Sequence, residues 1–270
     1  MKKIVKSKGM MVSSIISLML SLVVLATVSM AWLSMNKETE SNGMKLKVEV
    51  TPNLIIDSNV LSLQSVDGAV ESNFSVDLTA AAEELKPATH DNGSASGLVY
   101  VVNPTAVDVS SGLVKSGSVL TYSSAVASQH YVDFTVYIAS AGAEMTGQNL
   151  VAELRPTATI AGSSATKQDT LDATSIDFYV LLPGGSLTYI DTLNVEGLDA
   201  SANNYTTTET EVTLVSNNTI PKNKDGYITV VMRCYFDGAL LKSAGHAYIN
   251  SALIDTNDVT LNVTFTASDA

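Results

Sequence analysis

The chain has 270 residues, 15 Lys and Arg against 27 Asp and Glu, a formal net charge of −12 and one cysteine. An acidic surface repels phosphate backbones and anionic lipid, which argues against nucleic acid as a partner. One cysteine allows no intrachain disulfide, so an exported form must draw stability from a packed core or from assembly.

The chain opens on Lys2, Lys3, Lys6 and Lys8, and residues 9–36 carry no charge. A basic start, an apolar middle from Ile15 to Leu25 and small residues at a cut site have the form of a secretory signal. Ser29 and Ala31 take the minus-three and minus-one positions of a cut that makes Trp32 the first mature residue. Residues 1–31 are therefore expected to be a signal peptide, with the rest exported; removing four lysines leaves 11 basic against 27 acidic residues, a net charge of −16. Two other outcomes fit the same residues. The run is long enough to stay as a membrane anchor, which needs about 20 apolar residues. A pilin-type cut after Gly9 would instead keep the apolar helix, with Ser14 at the fifth mature position, where such pilins usually carry Glu.

Beyond the leader, alternation with period two predicts strand after strand. Lys45 to Thr51 sets Leu46, Val48 and Val50 on one face and Lys45, Lys47 and Glu49 on the other. Asn73 to Leu85, rich in Ala and acids and stopped by Pro87, reads as helix. Leu98 to Asn103 is a more buried strand ended by Pro104, and His130 to Ala139 is a long central strand. Gly142 to Gly147 reads as a loop. Leu150 to Ile160 follows as a strand, with Pro156 placing it at an edge or a break. Ala161 to Thr174 is a loop; Ser175 to Leu182 is a strand turned by Pro183-Gly184-Gly185, with Leu187 to Ile190 returning. Thr206 to Val215 alternates with Val212 and Leu214 inward, and Asn217-Asn218 beside Pro221 reads as loop. Asp225-Gly226 opens a turn before the strand Tyr227 to Phe236; Ala239 to Leu253 is a weak helix or a loop with a short strand. The last strand puts Val259, Leu261, Val263 and Phe265 on one face. Nine or ten strands with Gly, Asn, Asp and Pro between them predict an all-β fold, an antiparallel sandwich with jelly-roll or Greek-key connections and short helices in loops.

Recognisable catalytic and metal patterns are missing. His90, His130 and His246 have no second His or Cys at ligand spacing, and are expected to be solvated or singly bonded. No nucleophile elbow, phosphate-cradling loop or dinucleotide fingerprint occurs. Asp91-Asn92-Gly93 would begin a calcium loop only if its twelfth position were acidic, and that position is Val102. Cys234, in an apolar strand, reads as a buried inert thiol. Sequons at Asn73, Asn92, Asn204, Asn217 and Asn262 are ordinary in a chain this rich in Asn, Ser and Thr. No catalytic residue, metal or cofactor is expected.

The boundary of the leader carries a resemblance. Ala31-Trp32-Leu33-Ser34-Met35-Asn36-Lys37, then Ser41-Asn42-Gly43-Met44-Lys45-Leu46 before the first strand, resembles the SipW-dependent secreted proteins of Gram-positive bacteria, the TasA/camelysin family. The final strand Leu261 to Ala267 is similar in style, and the middle is similar only in being β-rich. The resemblance implies a jelly-roll-like sandwich exported to the cell surface or biofilm matrix, where copies assemble into fibres as the mature N-terminal segment adds a strand to a neighbour. Camelysin is described as a metalloprotease, and the absence of a zinc signature keeps that activity from being carried over.

The expected organisation is then residues 1–31 as signal peptide, 32–44 as a donor-type segment and 45–270 as one β-sandwich domain. Trp32, Leu33, Met35, Met44, Leu46 and Val48 are the side chains that would fill a neighbour's pockets during strand addition. Expected partners are other copies of the chain, a minor anchoring subunit and a signal peptidase during export. The rival readings are a monomeric or membrane-anchored surface binding module, a pilin that keeps its N-terminal helix, and a camelysin-like metalloprotease.

Overall fold

The computed structural model describes residues 43–51, 53–67, 74–80, 82, 84–90, 97–102, 107–108, 113–114, 121–155, 173–195, 198–199, 204–205, 211–238, 240, 254–255 and 259–270. One compact unit runs from Asn42 to Ala270. Ten strands build two five-stranded sheets: β1 (Lys45–Val50), β2 (Leu54–Asp57), β3 (Ser75–Thr79), β4 (Tyr131–Ser140), β5 (Met145–Arg155), β6 (Thr174–Leu181), β7 (Thr188–Asn194), β8 (Glu211–Ile220), β9 (Ile228–Phe236) and β10 (Thr260–Asp269). Sheet A has the order β8-β5-β10-β1-β3 and sheet B the order β7-β6-β9-β4-β2. Consecutive strands alternate between the sheets in jelly-roll fashion, except for the β6–β7 hairpin at Pro183-Gly184-Gly185, where Gly184 supplies φ +75°. The fold is an all-β sandwich.

The core lies between the sheets because each strand alternates. Leu46, Val48 and Val50 face inward from β1, Leu261, Val263 and Phe265 from β10, and Phe134, Val136 and Ile138 from β4. Burying side chains of this size contributes about 1.5–3 kcal/mol each. One pair departs from the antiparallel expectation: β1 and β10 run parallel, with Leu46 opposite Leu261 and Val48 opposite Val263. The first strand of the unit is thereby held in the interior of sheet A by the last.

Several expectations need correction. The stretch 73–85, read as helix, forms β3 and then the short strand Glu84–Leu85, which pairs with Ile254–Asp255. The Ala and Glu residues favour helix locally, but Val76 and Leu78 alternate and pack on the core, and tertiary packing overrides propensity. β5 begins at Met145, inside the expected loop, and it is an interior strand between β8 and β10 rather than an edge. Pro156 lies outside the described residues. β8 runs on through Asn217 and Asn218, absorbing them by shifts of register against β5 and by a positive φ at Asn217. The helix α1 (Val60–Ser65) was not expected from the sequence; Asn59 caps it by accepting from the Leu61 N–H at 2.9 Å. The weak helix expected within 239–253 lies, but for Leu240, outside the described residues, as does the loop expected from Ala161 up to β6 and its flank.

The outer face of sheet B is covered at two places. At one, Leu63 of α1 packs with Ile55, Ala139 and Ala141, and the buried Asn223 donates from Nδ2 to the Leu63 and Val66 carbonyls at 2.9 and 2.7 Å. At the other, Thr89–His90, Leu98–Val101 and Tyr122–Ser124 form a three-stranded cover sheet. It is joined to β9 where the Ala88 N–H donates to the Phe236 carbonyl at 3.0 Å, and Ala88 and Leu98 are buried with Tyr235.

Candidate functional site

Of the residues expected at the export and assembly site, Ser29, Ala31, Trp32, Leu33 and Met35 lie outside the described residues. Met44, Leu46 and Val48 are fully buried in the unit's own core, in and just ahead of an interior strand. Their pocket is filled at home, and offering them to a neighbour would require β1 to leave both β10 and β3. Just ahead of them, Gly43 has φ +143°, and a Cβ there would lie 2.2 Å from the Ala80 carbonyl oxygen. This close approach holds Gly43 against the backbone at Ala80 and Ala82.

The most developed polar constellation lies on the outer face of sheet B. Inward residues Ile176, Phe178 and Val180 of β6 leave Ser175, Asp177 and Tyr179 facing out, where a water-facing pattern would be expected. The cross-strand register aligns Asp133 of β4 with Arg233 of β9, Arg233 with Asp177 of β6, and Asp177 with Thr192 of β7. A row of acid, base, acid and hydroxyl therefore crosses four strands. Arg233 donates from Nε and Nη2 to the two Asp133 oxygens at 2.8 and 2.9 Å, and its guanidinium carbon sits 3.9 Å above the Tyr131 ring. Burial works against its charge, but the hydrogen bond and charge of Asp133 outweigh it and hold Arg233 above the ordinary arginine range.

Asp177 is fully buried beneath the cover sheet. Its Oδ1 accepts from Thr192 Oγ1 at 2.7 Å, from His90 Nε2 at 3.0 Å and from the Tyr235 hydroxyl at 3.3 Å. Because the Thr192 hydrogen points to Asp177, the Tyr189 hydroxyl, 2.8 Å from Thr192 Oγ1, must be the donor of that pair. Asp177 Oδ2 is buried with no hydrogen-bond partner among the described residues. Burial first, and the Asp177 charge second, push the Tyr235 phenol well above its ordinary range; Tyr189 and Tyr179 are raised chiefly by burial. His90 also meets the Tyr189 and Tyr235 rings edge-on, each at 5.9 Å.

A second histidine sits at the base of the cover sheet. His130 is buried, its Nδ1 accepts from the Val126 N–H at 3.1 Å, and its ring stacks on Tyr100 at 4.1 Å. Burial, with the nearby Lys86 charge adding to it and the Val126 backbone opposing, lowers its pKa below the ordinary histidine value. Both described histidines lie where the cover meets the sheet; His130, with Val126 as its one hydrogen-bond partner among the described residues, is singly bonded as the sequence suggested, whereas His90 approaches both Asp177 and Thr192. A period-two reading of β4, β6 and β9 does place Asp133, Asp177 and Arg233 mid-strand on one face, and that complementary row was the available signal. Nothing local to His90 marks it as their partner.

What this arrangement does is clamp the cover to the sheet and keep titratable charge under it. Cys234 faces the opposite side, in the core, where burial raises its thiol far above the reactive range. Among the described residues no group of three or more His, Cys, Asp or Glu side chains is placed to hold a metal ion, and no helix is long and apolar enough to cross a membrane. No family model, no curated protein and no solved structure matches the chain.

Proposed function

We propose that this chain is a non-catalytic secreted structural protein, the subunit of a cell-surface or biofilm-matrix fibre of a Gram-positive bacterium, assembled by strand addition from the segment ahead of Gly43. The observation that supports this reading most is the β3 margin of sheet A. β3 is an edge strand whose one ladder, among the described residues, is with β1. Its apolar residues Val76 and Leu78, with Phe74 just ahead, are only partly buried against the main core. An edge of this kind is an acceptor for a further strand.

β1, the interior neighbour of that edge strand, begins beside it with Lys45 opposite Thr79. In this reading Trp32, Leu33 and Met35 fill the neighbour's pockets, while Met44, Leu46 and Val48 stay at home and fix the base of the donating arm. The contact is head-to-tail and does not close, so it propagates as a filament.

The test is deletion of Trp32 to Asn42 from the mature protein, keeping Gly43. The expected product is a folded single particle by circular dichroism and electron microscopy, beside full-length protein that polymerises. Fibres of unchanged width from the truncated chain would overturn the donor assignment.

A further inference from the structure

We propose that the cover sheet is fastened to sheet B by two histidines with opposite charge requirements, so that its attachment is tightest within a bounded range of pH and loosens on either side. His90 requires the charged ring and His130 the neutral one. Both sit where the cover meets the sandwich: His90 on the strand Thr89–His90, against Asp177, and His130 beneath Tyr100 of the strand Leu98–Val101.

The alkaline limit comes from His90. Its pairing with the fully buried Asp177 is ionic only while the imidazole is protonated. When the proton leaves, Nε2–H can still donate, but the carboxylate then lies buried without a counter-charge. Among the described residues, the groups around it do not supply one. Arg233, opposite Asp177 in register, is engaged by both oxygens of Asp133 and by the Tyr131 and Tyr179 rings. Among the described residues the remaining titratable neighbours, Tyr179, Tyr189 and Tyr235, with Asp191 near Tyr189 and Asp237 near Tyr235, are neutral or acidic. An uncompensated buried charge is among the costliest defects a fold can carry.

The acid limit comes from His130. Its Nδ1 is an acceptor for the Val126 N–H, and a proton there removes that role, leaving only a long 3.4 Å approach to the Val126 carbonyl in exchange. The ring is buried, Lys86 is the charged group near it among the described residues and Tyr100 covers its face. The sign is fixed by linkage. A histidine whose folded pKa lies below its unfolded value contributes stability that is complete above about pH 6.5 and is lost as pH falls from there. His90 acts in the other direction: its ion pair is complete in acid and fades as the imidazole loses its proton.

The test is hydrogen exchange of the whole chain from about pH 5 to about pH 8.5, corrected for intrinsic exchange, comparing peptides over 84–90 and 121–130 with β9 as the internal reference. The protection ratio is expected to peak within the range and to fall on each side. His90→Gln should remove the alkaline fall and His130→Gln the acid one. A flat wild-type profile, or a limb that survives in its own variant, overturns the assignment. Should a variant not fold, imidazole resonances of the wild-type chain decide: His90 is expected to hold its proton to higher pH than His130, and the reverse order or coincident titration overturns the proposal.

Discussion

Replacing Gly43 by alanine puts the close packing just ahead of β1 to a quantitative test. The added Cβ would stand 2.2 Å from the Ala80 carbonyl oxygen and 3.1 Å from that of Ala82, both backbone atoms. Ala80 cannot simply retreat, because its N–H donates to the Met44 carbonyl at 2.9 Å. The φ of +143° lies in a region that only glycine occupies freely, at a cost of about 1–3 kcal/mol for another residue. Displacing the Ala80 strand adds the net value of one hydrogen bond, about 1 kcal/mol. The total is about 3 kcal/mol, which in a unit of about 230 residues lowers Tm by about 6–12 °C. Gly184→Ala is the control: φ is +75°, but nothing lies within 4 Å of the added Cβ. That change carries only the left-handed penalty, about 1–2 kcal/mol. Urea unfolding followed by circular dichroism compares the two. Equal losses would refute the claim that close approach, rather than backbone conformation alone, requires the glycine.

Three further outcomes follow from the packing. Phe265→Ala, at the centre of β10 and fully buried, should destabilise by about 3–5 kcal/mol in urea, and a loss below about 1 kcal/mol would contradict its place in the core. Cys234 should resist iodoacetamide in the native protein and react fully in denaturant, as read by intact mass; rapid native labelling would contradict its burial. Arg233→Lys keeps the charge but loses the fork to Asp133 and the planar contact with Tyr131, and should cost about 1 kcal/mol at low salt. A double-mutant cycle with Asp133→Asn measures the ionic share of that loss, which should shrink as salt is raised.

The strands were legible where one face is solvated. Lys45, Lys47 and Glu49 against Leu46, Val48 and Val50 announce β1 without help, and the same holds for β4 and for Val259 to Phe265. What no local pattern contains is the partner: the parallel pairing of β1 with β10 joins opposite ends of the chain. The helix misread at 73–85 had the composition of a helix, and only the packing of Val76 and Leu78 on the core decides for a strand. α1 escaped because six residues are too few to display a helical period. The site was half visible. Asp177 is conspicuous as a carboxylate in the apolar run Ser175 to Leu182, but its burial depends on a cover sheet built from segments far away in the chain, and so His90 could not be assigned to it.

The position of β10 between β5 and β1 bears on when this protein can fold. Without Thr260–Asp269, sheet A falls into two separate pairs, β8 with β5 and β1 with β3, and the inward faces of both lose their shared neighbour. A chain still emerging from a ribosome lacks that segment, and contacts between residues far apart in sequence are the slowest to form. Completion of sheet A therefore waits on Thr260–Asp269, and the strands made before it cannot close the sandwich until that segment is in place.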